Sequence, residues 1–469
     1  MSIIPSTDWA LQTLEQWGER AGTLFQNRIR LGVTGLRRSG KTVFVTSVID
    51  NLLRAGRLPF LDVIAEGRYQ AARLEAHPRH DVPRFAFEQH LSALTGPVPA
   101  WPEPTRGLGQ IRLLIRFQPH SPLRRRVQRQ STLVLDIVDY PGEWLLDLPL
   151  LTRDFATWSA ETLALADRPP RAALAAPWRQ ALAAVSPTGP ADETVMRQLA
   201  DAYTDYLHAC RRSEAGLTLL QPGRFIEPGD LAGAPLLVFC PLPPPAGEVL
   251  RPSLYATMAE RFEAYKDAVV GRFFRDHFAG LDRQIVLVDL LGAMTRGSPA
   301  VSDTAVALTT ALEAFRHGRG YWLERLIGVS RIDRVLFAAT KADHLAVDQH
   351  DDLAHLLGGF VADARNAIRF AGASVETMAI AAVKSTVSVQ SPHLGRTLSC
   401  VRGTPLGRTA PTVLYPGALP ARLVPPYIDT GTVRFLDFQP PPGLGDDGRG
   451  LSHIRLDRAL QFLLGDVLT

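Results

Sequence analysis

The chain has 469 residues, 46% of them hydrophobic and 21% charged, with a formal net charge of +4 at pH 7. That balance excludes global disorder and leaves no chain-wide electrostatic footprint for nucleic acid, while the length predicts two or three packed units. Three scattered cysteines without metal-ligand spacing, no secretory leader and no run of 18 apolar residues predict a cytoplasmic protein without a membrane span.

In chain order, Asp8 can cap a first helix reaching about Gln26, with Trp9, Leu11, Leu14, Trp17 and Leu24 as its apolar residues. Arg28 to Thr34 reads as a buried strand, followed by Gly35-Leu-Arg-Arg-Ser-Gly40-Lys41-Thr42 and a helix to about Arg54. Two strands are expected at Gln110 to Phe117 and Thr132 to Val138, joined by an arginine-rich tip, Arg124 to Arg129. That tip reads as a solvated turn, or as a contact to an anionic partner or the membrane periphery. Leu150 to about Thr218 is rich in alanine and leucine and reads as several helices broken at Pro169-Pro170 and Ser186 to Pro190. A proline bridge (Pro241 to Pro245) and an amphipathic helix, about Ser253 to Phe278, complete an all-helical stretch. Strand and helix then alternate: Gln284 to Leu290, Asp303 to Gly318, Arg334 to Ala339, Asp351 to Phe370, and Val375 to Val383. Thr386 to Gly450 carries short β-like runs between Pro and Gly, and a closing helix spans about Ser452 to Leu464. The alternation predicts an α/β class with a doubly wound, mostly parallel sheet.

Gly35 to Thr42 is a complete phosphate-binding loop between a strand and a helix, the context in which that motif works. Its Lys41 is one of only four lysines, against 47 arginines. A compact ammonium in such a loop is not interchangeable with a planar guanidinium. Backbone N–H groups from Arg37 through Arg38, Ser39, Gly40 and Lys41 to Thr42 are expected around the phosphates, in the loop that Gly35 opens, with Lys41 on the β- and γ-oxygens and the Thr42 hydroxyl on Mg²⁺. Asp139, ending an apolar strand, is placed to hold the same ion, and Gly142 three residues later lets a backbone N–H approach the γ-phosphate. Asp289-Leu-Leu-Gly292 matches that spacing too, but Asp139 is preferred because its strand follows soon after the loop. Thr340-Lys341-Ala342-Asp343 selects the base: an aspartate can accept both N1–H and the N2 amino group of guanine, which adenine does not offer. Lys341 would pack along the base or ribose face, and Ala382, Val383, Lys384 and Ser385, ending the next strand, would supply a backbone contact to the guanine oxygen. Thr105 is a candidate second hydroxyl on Mg²⁺ and a sensor of the triphosphate.

The order of these motifs resembles a Ras-like P-loop NTPase domain with a large helical insertion. With Trp101-Pro, Asp139-Tyr-Pro-Gly-Glu-Trp144, Thr340-Lys-Ala-Asp-His344 and His453-Ile-Arg-Leu-Asp-Arg458, the chain resembles the YcjX family of bacterial stress-associated P-loop proteins over nearly its whole length. The resemblance implies GTP/GDP binding, GTP hydrolysis and a cytoplasmic location, with contact at the inner membrane an open expectation. The chain is expected to divide into an N-terminal helix (1–27), a GTPase domain in two parts (28–149 and 282–390), a helical insertion (150–281) and a C-terminal extension (391–469) of mixed structure. The resemblance supplies no partner, and an unidentified protein partner is expected at the insertion.

Two residues depart from small GTPases. Arg37 stands at a loop position that is glycine there, and either neutralises transition-state charge in cis or points to solvent. Glu143 replaces a water-orienting glutamine; an ionised carboxylate near the γ-phosphate is repelled, so turnover is expected to be slow. The catalytic set is therefore Lys41, Arg37, Glu143 and Thr105. A nucleotide-binding scaffold with negligible hydrolysis, and an ATPase or small-molecule kinase, are the alternative functions. Trp144 reads as core or as a link between the γ-phosphate loop and the insertion.

Overall fold

The computed structural model describes residues 27–36, 38–76, 82–103, 107–121, 129–247, 252–317, 332–370, 372–393, 395–423, 433 and 435–469. Arg37, Thr105, the expected N-terminal helix and most of the arginine-rich tip lie outside these residues.

The first strand, β1 (Asn27–Gly35), is followed by α1 (Lys41–Arg54), β2 (Tyr69–Glu75), α2 (Phe87–Thr95), β3 (Gly109–Phe117) and β4 (Ser131–Asp139). Leu31 and Val33 of β1 and Leu135 and Ile137 of β4 are fully or almost fully buried, as expected of strands covered on both faces. After α3 (Gly142–Asp147), the insertion contributes α4 (Phe155–Ala166), α5 (Arg171–Ala183), α6 (Glu193–Arg212) and α7 (Leu254–Tyr265), the last prolonged through π turns to Phe278. Then come β5 (Arg283–Val288), α8 (Leu290–Arg296), α9 (Ser298–His317), β6 (Arg334–Ala339), α10 (His350–Phe360), α11 (Ala362–Phe370) and β7 (Ser374–Ala379). The extension forms β8 (Val387–His393), β9 (Arg396–Gly403), β10 (Thr412–Leu414) and α12 (Leu456–Leu464).

Seven strands form one sheet in the order β2-β3-β4-β1-β5-β6-β7, parallel from β4 to β7 and antiparallel at the β2-β3-β4 edge. This is the Ras-like P-loop fold class expected from the sequence, with a separate antiparallel sheet, β10-β9-β8, in the extension. Edge strand β2 escaped the sequence reading because Tyr-Gln-Ala-Ala-Arg-Leu-Glu has little β propensity. Its pairing with β3, Ala72 opposite Ile115, creates it.

One face of the sheet packs α1 and α12, through Phe44, Val48 and Leu52 against Leu456, Leu460 and Leu463. The other face is continuous with the insertion. One buried cluster runs from Val286, Val288 and Phe337 to Trp144, Phe273, Trp158 and Trp178. Within it Trp158 stacks on Phe262 at 4.8 Å and Trp178 on Tyr206 at 5.3 Å. The insertion helices start where the sequence offers caps: Asp154 accepts from the Thr157 N–H, Asp192 from Thr194 and Val195, and Ser253 from Ala256.

Three element ends differ from expectation. The expected strand Val375 to Val383 stops at Ala379. The closing helix starts at Leu456 rather than Ser452, because Ile454 is bridged to Ala381 and Arg455 takes a left-handed turn, φ 56°. The helix expected from Asp303 is the second of two, α8 and α9, separated at Gly297 with φ 94°.

Candidate nucleotide site

The phosphate loop leaves β1 between β4 and β5, so it emerges at the centre of the carboxyl edge of the sheet. Arg38 (φ 63°) and Gly40 (φ 77°) are both left-handed, a backbone that turns successive N–H groups inward. Gly40 supplies α1 with no side-chain cap, and the first turn of α1 has no acidic residue. Its N-terminal amides are thus left for an anion. Gly35 is required by contact: a Cβ there would lie 2.2 Å from Ser39 Oγ and 2.8 Å from Leu287.

Lys41 Nζ lies 2.9 Å from Asp139 Oδ1, and Asp139 is fully buried. The approach is misaligned for a hydrogen bond. Ser39 Oγ, Lys41 Nζ and both Asp139 oxygens are buried without a hydrogen-bond partner among the described residues. Native proteins rarely leave so many polar atoms unanswered, and here they converge on one place. Gly142 closes the group from the other side: a Cβ on it would sit 2.3 Å from the Gly35 carbonyl oxygen. The structure thus brings Gly35, Ser39, Lys41, Thr42, Asp139 and Gly142 together.

Beyond Gly142, α3 is welded to the insertion. The Asp147 carboxylate accepts the Gly223 N–H on both oxygens at 2.9 Å and the Tyr265 hydroxyl at 2.7 Å. Burial pushes the Asp147 pKa up to about 7 despite these bonds. Trp144 has the Arg224 guanidinium 4.1 Å above its ring and the Phe273 edge at 5.3 Å, so it is both core and contact to the insertion. Glu143 is half-buried, and its Cβ would lie 3.0 Å from one added to Gly223.

The Thr340–Asp343 segment follows β6. Thr340 does not face outward: its N–H and hydroxyl both bond the Val288 carbonyl, at 3.0 and 3.3 Å. Lys341, left-handed at φ 60°, places Nζ 2.9 Å from Asp289 Oδ2 and 3.0 Å from Asp437 Oδ1. Burial opposes its charge, but the two carboxylates outweigh that and raise its pKa. Asp289, the weaker of the two Asp-x-x-Gly matches, is therefore the cap of α8, accepting the Gly292 N–H at 2.8 Å, and the tether of Lys341. Asp343 is buried, and its Oδ2 accepts the Ser385 N–H at 2.8 Å and the Ser385 hydroxyl at 2.6 Å. No described residue hydrogen-bonds its Oδ1.

Ala382, Val383 and Lys384 do not all face this site. The Lys384 N–H, expected on a guanine oxygen, is taken by the Ser452 carbonyl at 2.8 Å. Ala382 accepts the Ser47 hydroxyl at 2.5 Å, and Val383 is buried with Leu94, Leu444 and Leu451. Two residues, Asp437 and Arg296, were missed. Ser385, expected at the end of the base-contact segment, gives its N–H and hydroxyl to Asp343 instead. Asp437 comes from the extension, held over the site by Phe438, whose carbonyl accepts the Trp101 indole N–H at 2.7 Å and whose ring edges His344 at 5.2 Å. Asp289 had been set aside, and Arg296, at the end of α8, had no signal. Its Nε is buried without a hydrogen bond among the described residues, and burial lowers its pKa within the field of Asp289, Arg38 and Asp437.

Residues 29–468 match the YcjX-like family. The chain is 41% identical over 451 residues to the protein named Ras-like GTPase YcjX of Escherichia coli (strain K12), covering 94% of this chain and 96% of that protein. It is 36% identical over 465 residues to the protein of the same name from Shewanella oneidensis, covering 94% of each. Motif order, sheet topology and these matches over almost the full length agree: the chain belongs to the YcjX-like family.

Proposed function

We propose that this protein binds GTP and GDP with Mg²⁺ and hydrolyses GTP slowly, as a nucleotide-dependent switch. The observation that carries the proposal is the cluster of buried polar atoms at the phosphate loop that make no hydrogen bond among the described residues: Ser39 Oγ, and Lys41 Nζ and the Asp139 carboxylate, which pair only with each other, beside the uncapped start of α1. A bound triphosphate and its cation would answer all of them. The cation fits, since a buried carboxylate without hydrogen bonds is a ready oxygen donor, with phosphate, water and the hydroxyl of Thr42, the residue after Lys41, to complete the shell. Mg²⁺ bound there would neutralise charge on the β- and γ-phosphates. Thr105, if it joins, does so from outside the described residues, as does Arg37.

Guanine preference rests on Asp343, held by Ser385 with Oδ1 left for the base. Lys41 contributes charge to the phosphates, and Glu143, an anion beside the γ-phosphate position, favours slow turnover. The welded contact of α3 with Gly223 and Tyr265 gives the insertion a direct path to the nucleotide state, and supports reading it as the partner-binding part. The family resemblance supports a bacterial stress response in the cytoplasm. Among the described residues no helix is long and apolar enough to cross a membrane.

The test is calorimetry with GTP, GDP and ATP in Mg²⁺, on the wild type and Asp343→Asn. The expected result is a guanine preference that drops by about 10²-fold or more in the variant, because the amide no longer accepts two donors. Equal binding of ATP and GTP by the wild type overturns the base assignment. Hydrolysis no faster than buffer, with GTP still bound, replaces the switch by a scaffold.

A further inference from the structure

Lys384 and the segment His453 to Arg458 stand out in the sequence, yet neither enters the nucleotide site. They meet at a cavity of about 630 Å³ beyond the far end of α1, formed by the turn Ala55–Phe60, Lys384 and residues 449–458. Five cations line it, Arg57, Lys384, Arg449, Arg455 and Arg458, against one carboxylate, Asp457. Asp457 is buried and already committed, accepting the Phe60 N–H at 3.2 Å and the Arg458 N–H at 3.0 Å.

The cations are poorly neutralised. Arg57 and Arg455 pair with Asp447 and Asp351, whose side chains are 42% and 86% exposed and lie outside the lining. These exposed, solvent-screened pairs offset only those two of the five cations. Arg449 donates to the Gly56 carbonyl at 3.1 Å, which removes no charge. Lys384 and Arg458 have no carboxylate partner among the described residues. His453 adds none: its Nε2 is 2.7 Å from the Arg57 carbonyl, its Nδ1 accepts the Leu456 N–H, and burial lowers its pKa. The start of α12 and the end of α1 both reach this cavity, and their dipoles, about half a charge each and opposite in sign, roughly cancel. The side chains decide the sign.

We infer that this cavity is a second anion site, separate from the phosphate loop, for a small phosphate-bearing molecule. Its volume lies within the range of ligand pockets, about 300–1,000 Å³. Gly35 to Thr42, Asp139 to Gly142 and Thr340 to Asp343 are absent from its lining. The 14 residues of α1 separate the two sites by roughly 21 Å at about 1.5 Å per residue. Phe60, 55% exposed with the Arg458 guanidinium 4.5 Å from its ring centre, offers a flat face at the rim beside the charge. A concave, polar pocket suits a soluble phosphate ester better than a headgroup in a flat bilayer. Lys384 adjoins Ser385, so this site and the base-reading carboxylate share one segment.

The test is calorimetric titration of inorganic pyrophosphate into the full chain preloaded with one equivalent of GDP. One saturable site is expected, weakened about tenfold or more by Arg458→Ala and by Lys384→Met, as loss of a charge-assisted hydrogen bond requires. Arg458→Lys should retain binding, and Lys41→Met should leave it unchanged. No saturable binding, or binding indifferent to both Arg458→Ala and Lys384→Met, overturns the inference. Loss of binding in Lys41→Met also overturns it, by returning the probe to the phosphate loop. Co-sedimentation with phosphatidic acid vesicles but not phosphatidylcholine vesicles, lost in the Arg458 and Lys384 variants, would assign the phosphate to a lipid headgroup. No co-sedimentation with pyrophosphate binding intact assigns it to a soluble ester.

Discussion

The phosphate end and the base end of the candidate site are built in opposite ways. At the phosphate end, Lys41 and Asp139 pair only with each other, and neither they nor Ser39 Oγ makes a hydrogen bond among the described residues, in a loop whose two left-handed residues come from eight consecutive positions. At the base end Lys341 is held between Asp289 and Asp437 and Asp343 by Ser385, with Arg296 Nε left buried without a hydrogen bond among the described residues. The first is a local device completed by its ligand; the second is assembled from four distant segments before any ligand arrives. Preorganised charge discriminates between bases, whereas exposed need for a partner gives affinity.

Substitutions should separate the two ends. Lys41→Met should have the largest effect, lowering GTP hydrolysis by about 10²–10³-fold, the scale for losing one charge-stabilising donor, and lowering affinity for GTP and ATP alike. Equal loss of both nucleotides is the signature of the phosphate end. Ser385→Ala should weaken GDP binding by about tenfold, since a charged acceptor loses one of its two donors. It should leave the residual ATP binding unchanged; a parallel loss of ATP would erase the distinction between the ends.

A smaller effect, at the junction of α3 with the insertion, depends on pH. The Asp147 pKa is raised in the folded protein to about 7, so the folded state holds a proton that the unfolded state has released. Its favourable contribution is full below the ordinary carboxylate range and is lost as pH rises towards and through about 7. Relative to Asp147→Asn, the wild type should therefore lose stability between pH 5 and 8, by at most about 1.4 kcal/mol per pH unit. Urea unfolding across that range measures it; parallel curves would remove the buried carboxylate from the switch. The smallest effect belongs to Asp437→Ala. Its side chain is 63% exposed and Asp289 still holds Lys341, so guanine preference should shift by no more than about 1 kcal/mol in competition binding.

The phosphate loop, Asp139, Gly142 and Asp343 were legible because each motif lies in one short segment at the end of an apolar strand. The alternation of strands and helices gave the doubly wound sheet for the same reason. What escaped had no local pattern. Strand β2 exists because β3 pairs with it, and Asp437 reaches Lys341 only because Phe438 anchors the extension on Trp101 and His344. Lys384 was read as a base contact, but its N–H is spent on Ser452 and its side chain lines another cavity.

By itself, the sequence determined the chemistry of the phosphate loop. Glycine where a Cβ would collide, lysine where a compact charge is needed and an acid at a strand end are requirements that neighbouring residues impose. Only the tertiary structure decided which of two Asp-x-x-Gly matches stands beside Lys41, what holds Asp343 in place, and that five cations gather beyond the far end of α1. Those outcomes depend on contacts between residues up to hundreds of positions apart, and no periodicity or spacing within a segment encodes them.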